Sequence, residues 1–582
     1  FLTGELQGNT ASYRELDVLH TLSAGLDNLL ADENAGLSPM LGSFFNAVQD
    51  AADDPTSIPA RQVMLGSADT LADRFRDLSG WMQSSRDGVN QRMSTSVQQI
   101  NQLAGAIADI NTEIISAQAT AGGQPANDLL DQRDQLVLQL SGQVSVSTVM
   151  QDDGSMNVFM GSGQVLVLGT ESNTLVAQSR PEDPGQIDVA ISAGGSTTVP
   201  VTGLVGGGEL GGLLKYREQV LDPAENSLGR IAVELGVFMN DQHRMGISLD
   251  GMQGQDLFTV PGPQVIADPA NSGNISVAFG DVAQLTVHDY RLAYDGGSWS
   301  LTQLPTGQPV AMSGSGTSAD PFTADGLSIV VAGGAAPGDN YLVRPTRSGA
   351  SAISVAVADP RDLALAAPVT TSAATGNTGT GQISAGTVTD IDNPAFQAVP
   401  GQLSPEVLVR FISPGSYEVL DQSTMAVIDT GVYDPATGKN VFPTDNLGID
   451  YGYQVSISGN PAAGDEFAVN YNSGGTGDNR NALLLAGLQV AQLMDNGTAS
   501  FNDSYGRLVA DVGTQTQQAQ VNSDTRLQIL QQNEAARASV SGVNLDEEAA
   551  NMIRFQQAYQ AAAQVIAVAD QMFDTLINAV GR

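Results

Sequence analysis

Along residues 71 to 114 the apolar positions fall on one helical face: Leu71, Phe75, Leu78, Met82, Val89, Met93, Val97, Ile100, Leu103, Ile107, Ile110 and Ile114. Steps of three, four and seven are the period of an α-helix seen from one side. They predict a continuous helix from about Ala60 to Ala119, a rod of roughly 90 Å at 1.5 Å per residue. A rod of that length cannot bury its own stripe and needs a second helix alongside. Upstream, Leu16, Leu19, Leu22, Leu26 and Leu29 mark another amphipathic helix, followed by a break near Pro39. A short helix through Phe44, Phe45 and Val48 is stopped by Asp54-Pro55 and Ile58-Pro59, because proline disfavours the helical conformation of the residue before it.

After Gly122-Gly123 the stretch NDLLDQRDQLVLQL predicts a further helix, with Asn127 or Asp128 as its N-cap. The period then falls to two. QVSVSTVM, SMNVFM and QVLVLG read as consecutive strands, a β segment continues to about Val205, and GGGELGG leads into helices from Leu213 to Gln242. Residues 275 to 475 are β-branched and rich in Gly, Thr and Ser. A weak internal repeat runs through them. DYRLAYDGGSWSLTQLPTGQPV parallels VRFISPGSYEVLDQSTMAVIDTG, and a strand, a Gly/Ala/Pro loop and Gly-Asp precede a second strand in both copies. Trp299 and Tyr417 fall at matching places, where an aromatic is expected in the core. The low-complexity TTSAATGNTGTGQ is expected to separate the copies, and helical pattern returns at Asn481.

The predicted class is therefore α+β and multidomain, a long coiled-coil-like helical domain built from both halves of the chain with two mainly-β domains inserted. Its expected division is helical core 1–270 with a small β-hairpin region at 143–205, first β domain 271–380, second β domain 381–478, helical core again 479–540, and a terminal helix 541–582.

The terminal stretch SGVNLDEEAANMIRFQQAYQAAAQVIAVADQMFDTLINAVGR is the most strongly patterned of all. Asn544 and Glu547 resemble a capping box, and Asp546, Glu547 and Glu548 suit the positive end of a helix dipole. One apolar row runs through Met552, Tyr559, Ile566, Phe573 and Val580, and a neighbouring row through Phe555, Ala562, Val565, Ala569, Met572 and Leu576, with Leu545 and Ile577 beside them. Two adjacent rows are wider than a two-helix seam and predict more than one neighbour. The pattern allows either completion of a bundle within the chain or packing between subunits.

Composition narrows the partners. The chain of 582 residues carries a net charge of −39, with only 15% charged residues. So negative a surface repels nucleic acid and anionic lipid, and neither is expected as a partner. With no cysteine there are no disulfides or thiolate metal sites. Gly206-Gly207-Gly208-Glu209-Leu210-Gly211 fits GxGxxG, but helices follow it rather than a βαβ unit, so it reads as a return into the helical domain. His20, His243 and His288 lack metal-ligand spacing, and Asp250 to Asp256 reads as a turn-rich loop rather than a calcium loop. Glu547 and Glu548 point about 100° apart on a helix and cannot serve one substrate as an acid/base pair. No catalytic, cofactor-binding or metal-ligating residue is assigned, and the reading is of a non-enzyme. Because the chain opens on Phe1 inside a patterned segment, its natural N-terminus is expected to lie upstream.

NLDEEAAN and RFQQAYQA in the terminal stretch resemble the C-terminal signature of flagellar axial proteins, in the form found in the hook-associated protein 1 family. NDLLDQRDQLVLQLSGQVSVS, GGELGGLLKYREQVLDPAENSLGRIAVEL and GTASFNDSYGRLVADVG are similar to that family in the same order. Members begin with a further helical segment ending in an Asn-rich, Tyr-containing motif, which does not precede Phe1. The resemblance implies an extracellular structural role at the junction of hook and filament, with the paired terminal helices innermost and the β domains outermost. It implies export through the type III apparatus, and as partners other copies of the chain, the hook protein, hook-associated protein 3 and an export chaperone at the C-terminal region. An alternative is an axial protein whose β insert carries hydrolase or adhesin activity.

Overall fold

A computed structural model describes residues 2–32, 36–120, 125–192, 198–541 and 545–581. Among them the helices run, in chain order, α1 (Leu2–Leu30), α2 (Leu37–Asp53), α3 (Ile58–Thr120), α4 (Asn127–Gln143), α5 (Gly208–Lys215), α6 (Asp222–Arg244), the single turns α7 (Gly349–Ala352) and α8 (Pro394–Gln397), α9 (Arg480–Gly487), α10 (Phe501–Ser541) and α11 (Leu545–Val580). The fold is α+β, with helices at both ends of the chain and sheets between them.

The 63-residue α3 is the spine. All of its predicted stripe is buried except Leu103, which packs half-buried against the same core. α1 and α10 lie antiparallel beside each other: the Tyr505 hydroxyl donates to the Leu30 carbonyl at 2.7 Å near one end, and Arg526 donates to Asn9 near the other. The fully buried row of α1 is Leu6, Ala11, Val18, Leu26 and Leu30, and the predicted Leu19, Leu22 and Leu29 are only partly covered. α1 is gripped by α10 and by α5, so its buried arc is wider than the leucines alone suggest. Close approach of α5 explains the glycine cluster. A Cβ on Gly212 would stand 2.6 Å from the Glu15 carbonyl oxygen, and one on Gly208 (φ +64°) would stand 2.3 Å from the 143–144 backbone. α5 runs into α6 through a π-helical turn, Tyr216–Leu221. α4 begins at Asn127 itself, capped by Ala126 without a side-chain bond. Neither Asn127 nor Asp128 is therefore the N-cap. A four-stranded and a three-stranded antiparallel sheet between Val146 and Pro200 pack their apolar faces on the same core.

The two β domains are copies of one design. The first five-stranded sheet has the order Pro309–Val310, Trp299–Leu304, Asp289–Tyr294, Asn340–Arg344, Gln264–Ala267. The second has Val427–Val432, Ser416–Asp421, Val407–Ser413, Glu466–Tyr471, Val369–Ala373, in which each strand takes the place of its counterpart. Each is completed by a three-stranded sheet of matching order. Trp299 pairs with Tyr294 as Tyr417 pairs with Phe411, and Tyr417 is core while Trp299 is half-buried.

A carboxylate clasp is repeated as well. Asp339 accepts backbone N–H bonds from Ser272, Gly273 and Ala336 at 2.8–3.1 Å, and Asp465 accepts them from Thr378, Gly379 and Ala462 at 2.8–3.1 Å. Beside them Asn271 brackets the backbone of Asn340, and Asn377 that of Glu466. The stretch expected as a separator is thus built into the second domain. It supplies the edge strand Val369–Ala373, and its Thr-Gly lends two N–H groups to Asp465. The boundary expected at 380 falls after that strand, and the one expected at 270 falls after Gln264–Ala267, which belongs to the first sheet.

Buried ion pairs join the first β domain to the rod. Arg86 of α3 donates to Asp222 at 2.5 Å and to Glu225 at 2.6 Å, at the start of α6. Arg347 bonds Asp289 at 2.8 Å and lies 3.5 Å from Asp222, while Arg344 pairs with Asp183 of the 183–192 strand.

The clasp generates a measurable expectation. Burial alone would raise the Asp465 carboxyl, but its three N–H donors outweigh it and hold it below its ordinary range. Its contribution is therefore complete above the unfolded value of about 3.9 and is lost as pH falls through the lowered folded value. Asp465→Ala should destabilise the second β domain by about 3 kcal/mol, three buried N–H groups losing a charged acceptor. Calorimetry at pH 7 should show its transition lowered and that of the first β domain unmoved, with Asp339→Ala giving the converse.

Candidate subunit-packing surface

α11 is a helix because its sequence offers no proline, no glycine before position 581 and a run of alanines with long unbranched side chains. At 36 residues it is a rod of about 54 Å. Of the residues predicted to pack, Met552, Phe555, Tyr559, Ala562, Val565, Ile566, Ala569, Met572, Phe573, Leu576 and Ile577 are all exposed. Phe555 is 68% and Phe573 67% accessible, values proper to side chains that touch almost nothing. The Leu545 and Val580 side chains and the proposed cap Asn544 lie outside the described residues.

The helix brings its rows together on one broad side, where about 100° per residue places Met552, Phe555, Tyr559, Ala562, Ile566, Ala569 and Phe573 within one arc. On that side the Arg554 guanidinium lies over the Phe555 ring, 5.8 Å from its centroid. Two further apolar residues, Ile553 (56%) and Val568 (51%), are exposed away from those rows. They were missed because the sequence reading followed two rows. They extend the apolar surface part of the way round the rod. Of the two arrangements the pattern allowed, completion of a bundle within the chain is not adopted by the described residues. Burying the exposed apolar side chains would be worth on the order of 20 kcal/mol as an upper bound.

The other sequence candidates have structural occupations. Glu209 of the glycine-rich stretch pairs with Arg92 at 2.8 Å, and the Gly207 N–H donates to Glu15. Asp250 pairs with Arg361, and Asp256 with Arg244 at 3.1 Å. His243 is fully buried; its Nε2 accepts from the Ala364 N–H at 2.9 Å, so Nδ1 carries the proton donated to the Gln255 carbonyl. Burial pushes this imidazole down to about 4, which keeps it neutral as a staple between α6 and the 360s segment. Among the described residues no cluster of three His, Asp or Glu side chains could hold a metal ion, and no helix is long and apolar enough to cross a membrane.

Comparison with known proteins covers nearly the whole chain. The family described as flagellar hook-associated protein FlgK helical domain matches residues 23–258, and the one described as flagellar hook-associated protein 1, D2-like domain matches 266–345. The flagellar basal body rod FlgEFG protein C-terminal family matches 536–579, which takes in the end of α10 and nearly all of α11. Flagellar hook-associated protein 1 of Salmonella typhimurium is 29% identical over 99% of this chain and 87% of its own length, and that of Escherichia coli K12 27% over the same shares. The structure of the flagellar hook junction protein FlgK from Burkholderia pseudomallei is 30% identical, with a TM-score of 0.81, over 92% of this chain and all of that one.

If the α11 face is idle within the chain, a charge placed on it should not disturb the fold. Phe573→Asp should change the stability of the folded body by less than about 0.5 kcal/mol, the usual limit for surface substitutions. Phe75→Ala, in the buried stripe of α3, should cost about 3–5 kcal/mol. Urea unfolding followed by far-ultraviolet circular dichroism measures both.

Proposed function

The chain belongs to the flagellar hook-associated protein 1 family, and on that premise we propose that it is an adaptor joining hook to filament, with α11 as the surface through which subunits pack. Family membership makes it a structural component of the flagellum. The observation that carries the finer reading is the broad apolar side of α11, left in water over 547–577 while the rest of the chain buries its stripes. A helix so made gains stability when other helices cover its apolar side, and an axial assembly supplies them as copies of the same chain and of related subunits. The packing set is Leu545, Met552, Phe555, Tyr559, Ala562, Val565, Ile566, Ala569, Met572, Phe573, Leu576, Ile577 and Val580.

The partners of this reading are other copies of the chain, the hook protein on one side and hook-associated protein 3 on the other. Export as an unfolded chain through the flagellar type III apparatus, with a chaperone on the C-terminal region, places it in the extracellular flagellum. The β domains, at the far end of the ion-paired joint from α3, face outward. Their most buried carboxylates, Asp339 and Asp465, are committed to backbone N–H groups, which favours a structural role over hydrolysis.

The test is made in motile cells of the source organism carrying Phe555→Asp or Phe573→Asp in the chromosomal gene. Subunit should accumulate in the medium at normal amounts, with filaments unattached and swimming abolished. Filaments attached at the usual number in both variants would overturn the assignment of α11 as the packing surface.

A further inference from the structure

One buried acid has no use in the fold as described so far. Glu234, on α6, is fully buried, and neither of its carboxyl oxygens accepts a hydrogen bond from a described residue. Its nearest cation is Arg230, one turn earlier, whose Nε lies 3.8 Å away. Arg230 is committed elsewhere: it donates to the Leu285 carbonyl at 3.0 Å and to Asp495 at 2.6 Å. Leu285 follows the short helical turn Val282–Gln284 of the first β domain, and Asp495 belongs to the loop that opens α10. In the same place the Asn496 N–H donates to the Ala283 carbonyl at 2.9 Å, and Arg507 of α10 holds the second oxygen of Asp495 at 2.5 Å. Asp495 and Asn496 both take left-handed backbone conformations, φ +54° and +58°. Asp and Asn are the non-glycine residues that best tolerate this region, and backbone bonds between Met494 and residues 497–499 close the turn that presents them to the β domain.

We propose that Glu234 is a pH-sensitive latch on the joint between the first β domain and the start of α10. With Glu234 protonated, Arg230 is free to bridge Leu285 and Asp495, and the 494–499 turn is held against the β domain. With Glu234 ionised, a second carboxylate competes for the same guanidinium. It also adds negative charge facing Asp495 from the loop and Asp281 from the β domain, while Arg507 can hold Asp495 alone. The bridge to Leu285 and the Asn496–Ala283 bond are then the contacts to go.

Burial is the main influence on Glu234; it outweighs Arg230, with Asp495 and Asp281 adding to it, and pushes the carboxyl up to about 8. A group raised in the closed joint and ordinary, near 4.3, in the opened one stabilises closure fully below the lower value. That stabilisation is lost as pH rises toward the higher one. The joint is tightest in mild acid and loosens up to about pH 8, with no further change above.

Hydrogen exchange of the full-length protein tests this, read by mass spectrometry as protection relative to the intrinsic rate at each pH. Between pH 5.5 and 8, protection in peptides covering 281–286 and 494–499 should fall at least 30-fold, while a peptide from 92–100 of α3 stays constant. Glu234→Gln, which keeps size and cannot ionise, should hold protection within threefold across the range. Asp495→Asn, which removes the Arg230 bridge, should leave 494–499 poorly protected at every pH. The same slope in Glu234→Gln as in the unsubstituted protein would overturn the proposal, as would its absence from the unsubstituted protein.

Discussion

The antiparallel pairing of α1 with α10 is the constraint on which the architecture rests. It brings α1 and α10, from opposite ends of the chain, side by side in one helical body, so that the two β domains inserted between them must leave that body and return. The returns are visible in the strand pairs. Phe258–Thr259 pairs with Ser354–Val355 where the first β domain leaves and re-enters, and Val369 pairs with Tyr471 where the second does. Between the two departures, Leu363 and Leu365 come back into the helical core. Because both excursions are closed at their base, the β domains can carry separate cores without loosening the rod, and the rod can hold α11 out at its end.

Charge does a different job in each part of this molecule. In the joint with the first β domain, Arg86, Asp222, Glu225, Arg347 and Asp289 are buried together, an arrangement whose desolvation cost is offset only by close, mutually satisfied contacts. Such a cluster contributes little net stability but tolerates one geometry, because any tilt leaves an ion unpaired in low dielectric. In the β domains Asp339 and Asp465 each bind one backbone N–H of their own loop and two of a loop distant in sequence, and so tie the two loops together. The joint at Glu234 departs from both patterns, as its carboxyl has a cation within reach that is already claimed.

Much of this was legible in the sequence, for reasons that can be given residue by residue. The α3 stripe was readable because one long helix with a single buried face repeats its period for many turns. The duplication was readable at Gly-Asp because that aspartate has a backbone-binding role that other residues fill poorly, so it persists where the flanking residues differ. Asn127 was misjudged as a cap because its residue type favours that position while the chain enters the helix one residue earlier. The Thr/Gly stretch at 370–382 looked like a spacer because its contribution is made by backbone N–H groups, which no side-chain pattern reveals. The ion-paired joint was not readable at all. Arg86, Asp183, Asp222 and Arg347 are far apart in sequence, and each alone resembles a surface charge. The two rows of α11 were readable as apolar, since hydrophobic spacing needs no partner to be seen, while Ile553 and Val568 lie off those rows; what covers the face is not encoded in its own spacing.

If α11 packs between subunits as proposed, the chain must avoid random self-association before assembly, and its composition supplies the means. With a net charge of −39, two copies approaching at a distance repel each other, and α11 itself carries Asp546, Glu547, Glu548, Asp570 and Asp574 against Arg554. That repulsion is felt over a Debye length of about 8 Å at physiological ionic strength and cannot discriminate one orientation from another. Apolar burial acts only at contact, but over a rod as long as α11 it is the larger quantity once helices are aligned side by side. Long-range charge and short-range packing therefore divide the work: the first disfavours random encounters, and the second rewards the one alignment in which every row is covered. On the proposed packing, an acidic, lysine-poor surface and an aliphatic, aromatic-studded terminal helix serve together, the one opposing random encounters and the other rewarding aligned ones.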